Sequence, residues 1–480
     1  MPNPLGSPRL FGLADARLDR ALTIGLVIGV AVSRIAAFPA SIWEQDEAVF
    51  ASAVMAFDAT GNLPHPPWFP LWIGLGMVVH QLGIDATASL CLLSAGFSVW
   101  MVFPLTSMWS AVMPRGEAVG AALLVLAAPG PWWLAGRAFS GTTATALLAA
   151  ALAFWLRAGR RPHSAVVGSA AAACAVLVRP QLLPAALGAL AICLGRMTPA
   201  DRRAALATLA APLLAAAIVL SITAGGPAAL WHAFEVHATA HLSRLDEANH
   251  GFAVSGVSRS LGHPAVAAAW SALLLIGTVR LVRRGRWRHL SPVLIGAALT
   301  TAVVVELLSD PTHARYAIPI LAFTAGPVVA GLRAIARRWT AAVVAAAVIG
   351  STLFVAPQLA VYRAVASPPV AAVEHAIDEA VRLGGTLVVD RHLHAFVVER
   401  ELVAPPGVPL LFDHMIERGW AVPPPPESTV FVFDRGHDAI LAGAGERRLF
   451  TSGLPLARLL AQGRFLDVEV VSGASLRSVP

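Results

Sequence analysis

The chain of 480 residues is 57% hydrophobic and only 13% charged, and its formal net charge is +7. Because soluble domains are typically about 25% charged, this composition excludes a water-soluble globular protein and predicts a polytopic α-helical membrane protein. The chain contains 35 arginines and no lysine. Many of the arginines cluster in short loops between apolar runs. That distribution indicates membrane topology and not nucleic-acid binding.

The first apolar run, 21–40, follows a basic N-terminal stretch and keeps Arg34 near its far end. It has no convincing small-residue cleavage site, which favours an uncleaved signal anchor behind a cytoplasmic segment, 1–20. Further apolar runs of membrane-span character follow at 67–83, 88–108, 117–135, 138–156, 164–178, 181–195, 204–224, 264–281, 290–308, 315–332 and 339–356.

Loops that carry clustered arginines are predicted to be cytoplasmic, because such loops resist translocation. They contain Arg157, Arg160 and Arg161; Arg196, Arg202 and Arg203; Arg280, Arg283, Arg284, Arg286 and Arg288; and Arg333, Arg337 and Arg338. The loops 41–66 and 225–263 and the C-terminal part then lie outside the cytoplasm.

A cytoplasmic N-terminus and a cytoplasmic loop after residue 156 require an even number of crossings, yet five runs lie between them. One run is therefore expected to be re-entrant or split, which gives 11 or 13 spans. A re-entrant or split run is favoured by the glycines and prolines that interrupt helices in the same stretch, which are Gly74, Gly76, Pro104, Pro129 and Pro131.

Residues 358–480 are predicted to form a small extracytoplasmic α/β domain. Short β-rich segments at 385–389 and 429–433 alternate with amphipathic stretches at 370–383 and 454–462. Asp390, His392 and His394 follow the first of these strands without a nucleotide loop or triad spacing. The domain is interpreted as a lid or acceptor-docking module and not as a second enzyme.

The first outer loop, 41–66, places Glu44, Asp46 and Glu47 within four residues beside Trp43, which is expected to anchor the loop at the membrane interface. A carboxylate in a partly apolar pocket is basic enough to take a proton from a hydroxyl group. The alternative is that these acids solvate the loop or cap the following helix.

Several motifs appear in a fixed order along the chain. Asp46-Glu47 precedes a small and an aromatic residue, and His65-Pro66-Pro67 is followed by Trp68. The later motifs are Gly136-Arg137-Ala138, Val178-Arg179-Pro180-Gln181 and Ala314-Arg315-Tyr316-Ala317-Ile318-Pro319. Together they resemble the lipid-phosphate-sugar-dependent glycosyltransferases of the GT-C superfamily, above all the protein O-mannosyltransferases and the aminoarabinose transferase that modifies lipid A.

The resemblance implies that residues 21–357 form a GT-C-like catalytic domain in the plasma or inner membrane. It implies inverting transfer of a sugar from a polyprenyl-phosphate donor to a hydroxyl of a cell-envelope acceptor, among membrane lipids and without a required cofactor. By motif position Asp46 is the general base, and Glu47 orients the acceptor or the base. The chain departs from the family pattern at Trp68 and Phe69 and at 139–141, where an acid is often found, so the sugar and the acceptor stay open.

Phosphate groups favour arginine, whose planar fork gives two parallel hydrogen bonds. Arg315 with Tyr316, beside His313, is the preferred donor-phosphate site, and Arg137 and Arg179 are alternatives. An Arg that snorkels to the interface would explain Arg315 equally.

Four residues are candidates for acceptor or substrate contact. They are Glu44, His65, His313 and Glu306, the last because ionisable groups inside spans are functional candidates by default.

The large outer loop, 225–263, carries His237 and His241 at i,i+4, which is metal-ligand spacing. An amphipathic helix lying in the interface explains these histidines, Trp231 and Phe234 equally well. They are weak metal candidates.

A transporter or lipid-linked-sugar flippase is the alternative function, although it predicts internal repeats that the sequence does not show. Convergence of Asp46, Glu47 and Arg315 would favour the enzyme.

Overall fold

The computed structural model describes residues 13–39, 41–161, 163–242, 252–307, 314–390, 393–403, 407–417, 421–422, 424–434, 441–442, 446–460, 465–472 and 475–476. Up to residue 364 the described chain is a bundle of helices, and beyond it helices alternate with strands. The first ten helices are α1 (Leu13–Ala36), α2 (Gln45–Met55), α3 (Pro70–His80), α4 (Ala86–Trp100), α5 (Val102–Ser110), α6 (Arg115–Ala127), α7 (Pro129–Leu134), α8 (Ser140–Trp155), α9 (Ser164–Val178) and α10 (Leu183–Leu194).

The second half of the bundle has longer helices. They are α11 (Pro199–Thr223), α12 (Pro227–Leu242), α13 (Phe252–Leu261), α14 (Pro264–Arg283), α15 (Trp287–Leu307), α16 (Ala317–Ile335) and α17 (Thr340–Ala364). Their starts follow helix-capping chemistry: the Thr198 side chain accepts a hydrogen bond from the Asp201 amide, and Pro199 occupies the first turn of α11.

Every apolar run of the sequence overlaps a helix of the bundle. Among the described residues, five stretches are long and apolar enough to cross a membrane: Ala86–Ser110, Pro199–Thr223, Pro264–Arg283, Ala314–Ile335 and Thr340–Leu383. These helices and the fold reported below support a membrane protein. The number of crossings stays a prediction.

The expected interruptions have visible counterparts. The run 117–135 is divided at Ala128 into α6 and α7, because Pro129 opens a new helix. The run 88–108 contains the junction of α4 and α5 at Met101, and Ala86–Ser110 still counts as one candidate span. The interpretation of 41–66 as a loop was incomplete, since α2 occupies its middle and carries Asp46 and Glu47 in its first turn.

The last apolar helix, α17, continues through Pro357 to Ala364, past the predicted end at 356. The helices beyond it are α18 (Pro368–Leu383), α19 (His394–Val403), α20 (Asp413–Glu417) and α21 (Pro455–Leu460). The strands are β1 (Thr386–Val389), β2 (Leu410–Phe412), β3 (Thr429–Asp434), β4 (Leu441–Ala442), β5 (Glu446–Thr451), β6 (Asp467–Ser472) and β7 (Ser475–Leu476).

Five of these strands form one mixed sheet in the order β2-β1-β3-β6-β5, and β4 pairs with β7. β1 runs parallel to β2 and β3, whereas β6 is antiparallel to β3 and β5. The central strand β3 is buried over almost its whole length, as a strand covered on both faces should be.

The sheet region is tied to the chain just before α2. The Ser367 amide donates to Ser41 Oγ at 2.8 Å, and the Ser367 hydroxyl donates to the Ile42 carbonyl. α19 packs against α2. The helix that carries Asp46 is therefore held between the bundle and the C-terminal part.

Candidate active site

The charged residues of the motifs come from four chain segments that meet at one end of the bundle. They lie at the start of α2, in the turn before α8, at the end of α9 and in the 3₁₀ turn Ala314–Tyr316 before α16. Each is a place where an apolar helix begins or ends, so polar side chains can project there without crossing the apolar layer.

Arg137 and Glu47 form a buried, bidentate ion pair. Arg137 Nε donates to Glu47 Oε1 at 3.0 Å and Nη2 donates to Oε2, and the arginine is fully buried. Glu47 also accepts hydrogen bonds from the backbone amides of Trp43 (3.0 Å), Glu44 (3.1 Å) and Ala138 (3.2 Å). These contacts fix the position of the Glu47 carboxylate between the start of α2 and the turn before α8.

Glu44 joins this pair to Arg315. Its Oε1 accepts from Arg137 Nη1 and its Oε2 accepts from Arg315 Nη1, each at 3.1 Å. Only 4% of the Glu44 side chain is exposed. Two buried guanidinium groups that would otherwise repel each other are thereby held side by side.

Asp46 is the most accessible of the three acids. Its side chain is 26% exposed, against 4% for Glu44 and 2% for Glu47. Asp46 Oδ2 lies 2.7 Å from Arg315 Nη2, and Oδ1 lies 3.7 Å from His65 Nε2. Asp46 is thus oriented on one side and reachable on the other.

His65 has its Nδ1 at 2.9 Å from the Pro66 carbonyl, so Nδ1 carries a proton and Nε2 faces Asp46. Burial disfavours the imidazolium, but the hydrogen bond and the charge of Asp46 outweigh it and raise the pKa of His65. The ring packs edge-on against Phe69, whose backbone is in the left-handed region at φ 48°. A bulky residue held there is a strained feature, which is frequent at functional sites.

Arg179 is 6% exposed and lies beside Arg315. Its Nη1 donates to Ser140 Oγ at 3.3 Å, and its guanidinium stacks 4.6 Å from the centre of the Tyr316 ring. Among the residues that the structure describes, it forms no ion pair with a carboxylate. Arg179 therefore presents a buried positive charge that an anion can still use.

Phe139 separates the two paired arginines. The guanidinium carbons of Arg137 and Arg315 lie 4.8 and 4.9 Å from its ring centre, within cation–π distance. The aromatic face of Phe139 therefore adds to the carboxylate contacts that stabilise the two guanidinium charges.

Three aromatic rings pack beneath Arg137. Trp43 lies 4.9 Å from Tyr362 and 5.8 Å from Trp133, measured between ring centres. The prediction that Trp43 anchors the loop at the membrane interface was wrong, because the side chain is 1% exposed. It packs into the core and supports the backbone from which Glu44 and Asp46 project.

Of the other predicted residues, one contacts the edge of this cluster and three lie outside the described residues. His237, on α12, stacks on His65 with ring centres 5.2 Å apart and near-parallel planes. His313 and the side chains of Glu306 and His241 lie outside the described residues. In the part of the chain that is described, no group of three or more His, Cys, Asp or Glu residues could hold a metal ion.

Sequence reasoning missed Ser140, Trp133 and Tyr362. One signal was available for the last of these. The chain has only two tyrosines, and both, Tyr316 and Tyr362, lie against site arginines or the rings below them. The rarity of tyrosine was therefore the signal that could have pointed to Tyr362.

The fold matches solved membrane glycosyltransferases. ArnT from Cupriavidus metallidurans bound to undecaprenyl phosphate aligns with a TM-score of 0.54 at 14% identity, over 94% of this chain and 97% of that one. The apo oligosaccharyltransferase of Archaeoglobus fulgidus gives 0.55 at 11% identity, over 86% and 69%. The arabinofuranosyltransferase AftD from Mycobacteria gives 0.53 at 16% identity, over 94% of this chain and 40% of that one.

All three are GT-C superfamily glycosyltransferases, so the resemblance of the motifs is confirmed at the level of the fold. No protein-family model and no curated protein sequence matches the chain.

Proposed function

We propose that this chain, which has the GT-C fold, is a membrane glycosyltransferase that moves a sugar from a polyprenyl-phosphate donor to an acceptor hydroxyl with inversion. The fold supports the class of enzyme, and ArnT, similar over nearly its whole length, was crystallised with undecaprenyl phosphate. The reaction and the roles of the residues rest on the geometry of the site.

The observation that carries the proposal is the pairing of a reachable carboxylate with buried arginines. Asp46 keeps about a quarter of its side chain exposed while Arg315 fixes one of its oxygens. We assign Asp46 as the general base, since a base must reach the proton that it removes. Glu47 and Glu44 are positioning residues in this scheme, because their oxygens are occupied by arginine and backbone donors.

The donor phosphate is assigned to Arg179 and Arg315, with Tyr316 between them. Arg179 has no carboxylate partner among the described residues, and its guanidinium stacks on the same ring as that of Arg315. Both can donate to the same phosphate oxygens, and this contact strengthens as the phosphate departs.

The proposed transfer is a single displacement at the anomeric carbon of the sugar. The acceptor oxygen attacks the anomeric carbon from the face opposite the phosphate, the bond between that carbon and the phosphate oxygen breaks, and the acceptor proton passes to Asp46. Polyprenyl phosphate leaves with the electron pair, held by Arg179 and Arg315. His65 and His237 stand on the acceptor side of Asp46.

The orientation that we propose puts the site outside the cytoplasm. α8 begins at the site and ends before Arg157, and α16 begins at the site and carries Arg333 in its last turn. At about 1.5 Å per residue these helices span most of an apolar layer about 30 Å thick. The Arg-rich loops at their far ends favour the cytoplasm. Nucleotide sugars are made and kept inside, so a lipid-linked donor fits this orientation.

The orientation has its own test. A topology reporter fused after Leu359 should be active only as an extracytoplasmic reporter, which would also place the sheet region outside. Activity of a cytoplasmic reporter at that point would contradict both the orientation and the choice of donor.

The function is tested by transfer in membranes that carry the protein, with a set of polyprenyl-phosphate sugars. Asp46→Asn keeps the shape and removes the base, so turnover should fall by about 10² to 10⁴ while donor affinity is kept. Asp378→Asn is the matched control, because Asp378 is exposed on α18, away from the cluster. If wild type moved the intact lipid-linked sugar across the membrane and transferred nothing, the transporter or flippase would replace the enzyme.

A further inference from the structure

The opposite end of the bundle contains a second feature, which we call the basic groove. It is a cavity of about 750 Å³ between α6, α16 and α17. Its mouth is formed by Arg333, Arg337, Arg338 and Glu117, and its walls are apolar. Because α16 begins at Asp46's end of the bundle and finishes here, the basic groove is separate from the candidate active site.

The α6 wall of the groove is open beside two glycines. Gly116 and Gly120 lie one turn apart on α6 and line it. A Cβ atom added to Gly116 would meet nothing within 4 Å, and one added to Gly120 would touch Val344 at 3.9 Å and Val329 at 4.0 Å. α17 contributes Val344 and Val348, which also line an adjoining apolar cavity of about 180 Å³. The basic groove thus leads into further apolar space along α17.

The mouth has an excess of positive charge. Glu117, whose side chain is 6% exposed, pairs with Arg333 at 2.8 Å. The side chains of Arg337 and Arg338 have no acidic partner in the described part of the chain and are exposed. α6 and α17 both begin at the mouth, at Arg115 and Thr340, and helix amino ends add partial positive charge.

We propose that the basic groove binds an anionic phospholipid of the surrounding membrane, with its phosphate between Arg337 and Arg338 and its acyl chains along α6 and α17. Charge complementarity selects the headgroup, and the apolar walls select a lipid over a free anion. Basic pockets between membrane helices on the cytoplasmic side are a known mode of lipid recognition. The apolar walls of the groove and the adjoining apolar cavity along α17 offer acyl chains a surface to pack against.

Trp339 supports this placement. Its ring is 58% exposed, and the guanidinium of Arg338 lies 5.6 Å from its centre. Exposed tryptophans concentrate at the level of lipid headgroups. Arg338 and the proposed phosphate therefore stand at the depth where a headgroup belongs.

The experiment measures the thermal midpoint of the purified full chain in a neutral detergent. Phosphatidylglycerol is titrated against phosphatidylcholine with the same acyl chains. Phosphatidylglycerol should raise the midpoint at lower concentration, because a ligand of the native state stabilises it. Each arginine near a lipid surface is worth about five-fold in affinity, so R337Q/R338Q should weaken the effect about 30-fold.

The matched control is R286Q/R288Q, which removes the same charge from exposed positions that do not line the basic groove and should leave the response unchanged. Ala345→Phe puts a ring into the groove from its α17 wall and should abolish the response with every arginine kept.

Three results would overturn the proposal. They are equal responses to the two lipids, equal losses in the two double variants, and stabilisation by undecaprenyl phosphate or inorganic phosphate but not by phosphatidylglycerol. None of these variants alters the cluster around Asp46, so failure here leaves the proposed transfer reaction standing.

Discussion

Arg315 and Glu44 are 271 positions apart in the sequence, and their side chains are joined by a hydrogen bond of 3.1 Å. The bond fixes the turn before α16 against the start of α2. Because Asp46 lies two residues after Glu44 and contacts the same arginine, its carboxylate is set by a contact that spans most of the chain.

We expect Glu44→Gln to lower both stability and turnover. The amide can accept from one arginine, but its NH₂ group then faces the other, so one buried guanidinium loses one of its two carboxylate contacts and the buried cluster gains one net positive charge. Loss of one partner of a buried ion pair typically costs about 3–5 kcal/mol. Thermal unfolding and transfer by the purified protein measure the two effects.

The control for Glu44 is Glu374→Gln. It removes a carboxylate from Arg400 at a site where both side chains are substantially exposed, and such a pair is worth about 0–1 kcal/mol. Equal losses of stability in the two variants would show that Glu44 does not bridge the buried arginines.

Arg179→Gln should raise the donor KM about ten- to a hundredfold, because it removes a charge-assisted contact to the phosphate worth about 1.5–3 kcal/mol. Acceptor KM should change little. Arg179→Lys keeps the charge but loses the planar stack on Tyr316, so its donor KM should fall between wild type and Gln. A normal donor KM in Arg179→Gln would move the phosphate to Arg315 alone.

The pair of His65 and Asp46 should make stability depend on pH. The pKa of His65 is raised above its usual 6.5 in the folded protein, so its contribution is fully present below that value and lost as pH rises through the raised pKa. The thermal midpoint of wild type should therefore exceed that of His65→Gln at about pH 6 and approach it at about pH 9. His232→Gln, at an exposed position on α12, should follow wild type throughout.

Glu399, on α19, should titrate in the opposite sense. Burial, and then the charge of Asp85, raise its pKa from 4.5 to about 7, with Arg400 and Glu374 also nearby. The folded protein prefers the neutral acid, so stability falls as pH rises from 4.5 through about 7. Glu399→Gln should raise the thermal midpoint at about pH 8 and leave it unchanged at about pH 5, whereas the exposed Glu427→Gln should do neither.

The helices could be predicted because long apolar runs leave few other conformations in a membrane. The run 204–224, for example, lies almost wholly within Pro199–Thr223. A helix after the acids was only an alternative in the sequence, and α2 received no bounds for a physical reason. Its residues from Glu47 to Val54 are all buried, so no apolar stripe marks a helical period.

The sequence motifs also predicted which charged residues form the site, but not which side chains each of them contacts. The motifs pointed to Asp46, Arg137, Arg179 and Arg315, while the division of contacts among them depends on helix packing far apart in sequence. The side-by-side arginines held by Glu44, and the packing of Tyr362 on Trp133 at 4.0 Å, have no local signature.

In the proposed reaction, the ion pairs of the site have a consequence for charge. The three arginines Arg137, Arg179 and Arg315 equal in number the three acids Glu44, Asp46 and Glu47. In the state in which His65 is protonated, its positive charge equals the single negative charge of a polyprenyl-phosphate sugar. After transfer the freed lipid phosphate carries one more negative charge, and Asp46 has lost one by taking the proton. The site would thus remain electroneutral from bound donor to bound product, so the sugar could move without a counterion entering the apolar end of the bundle.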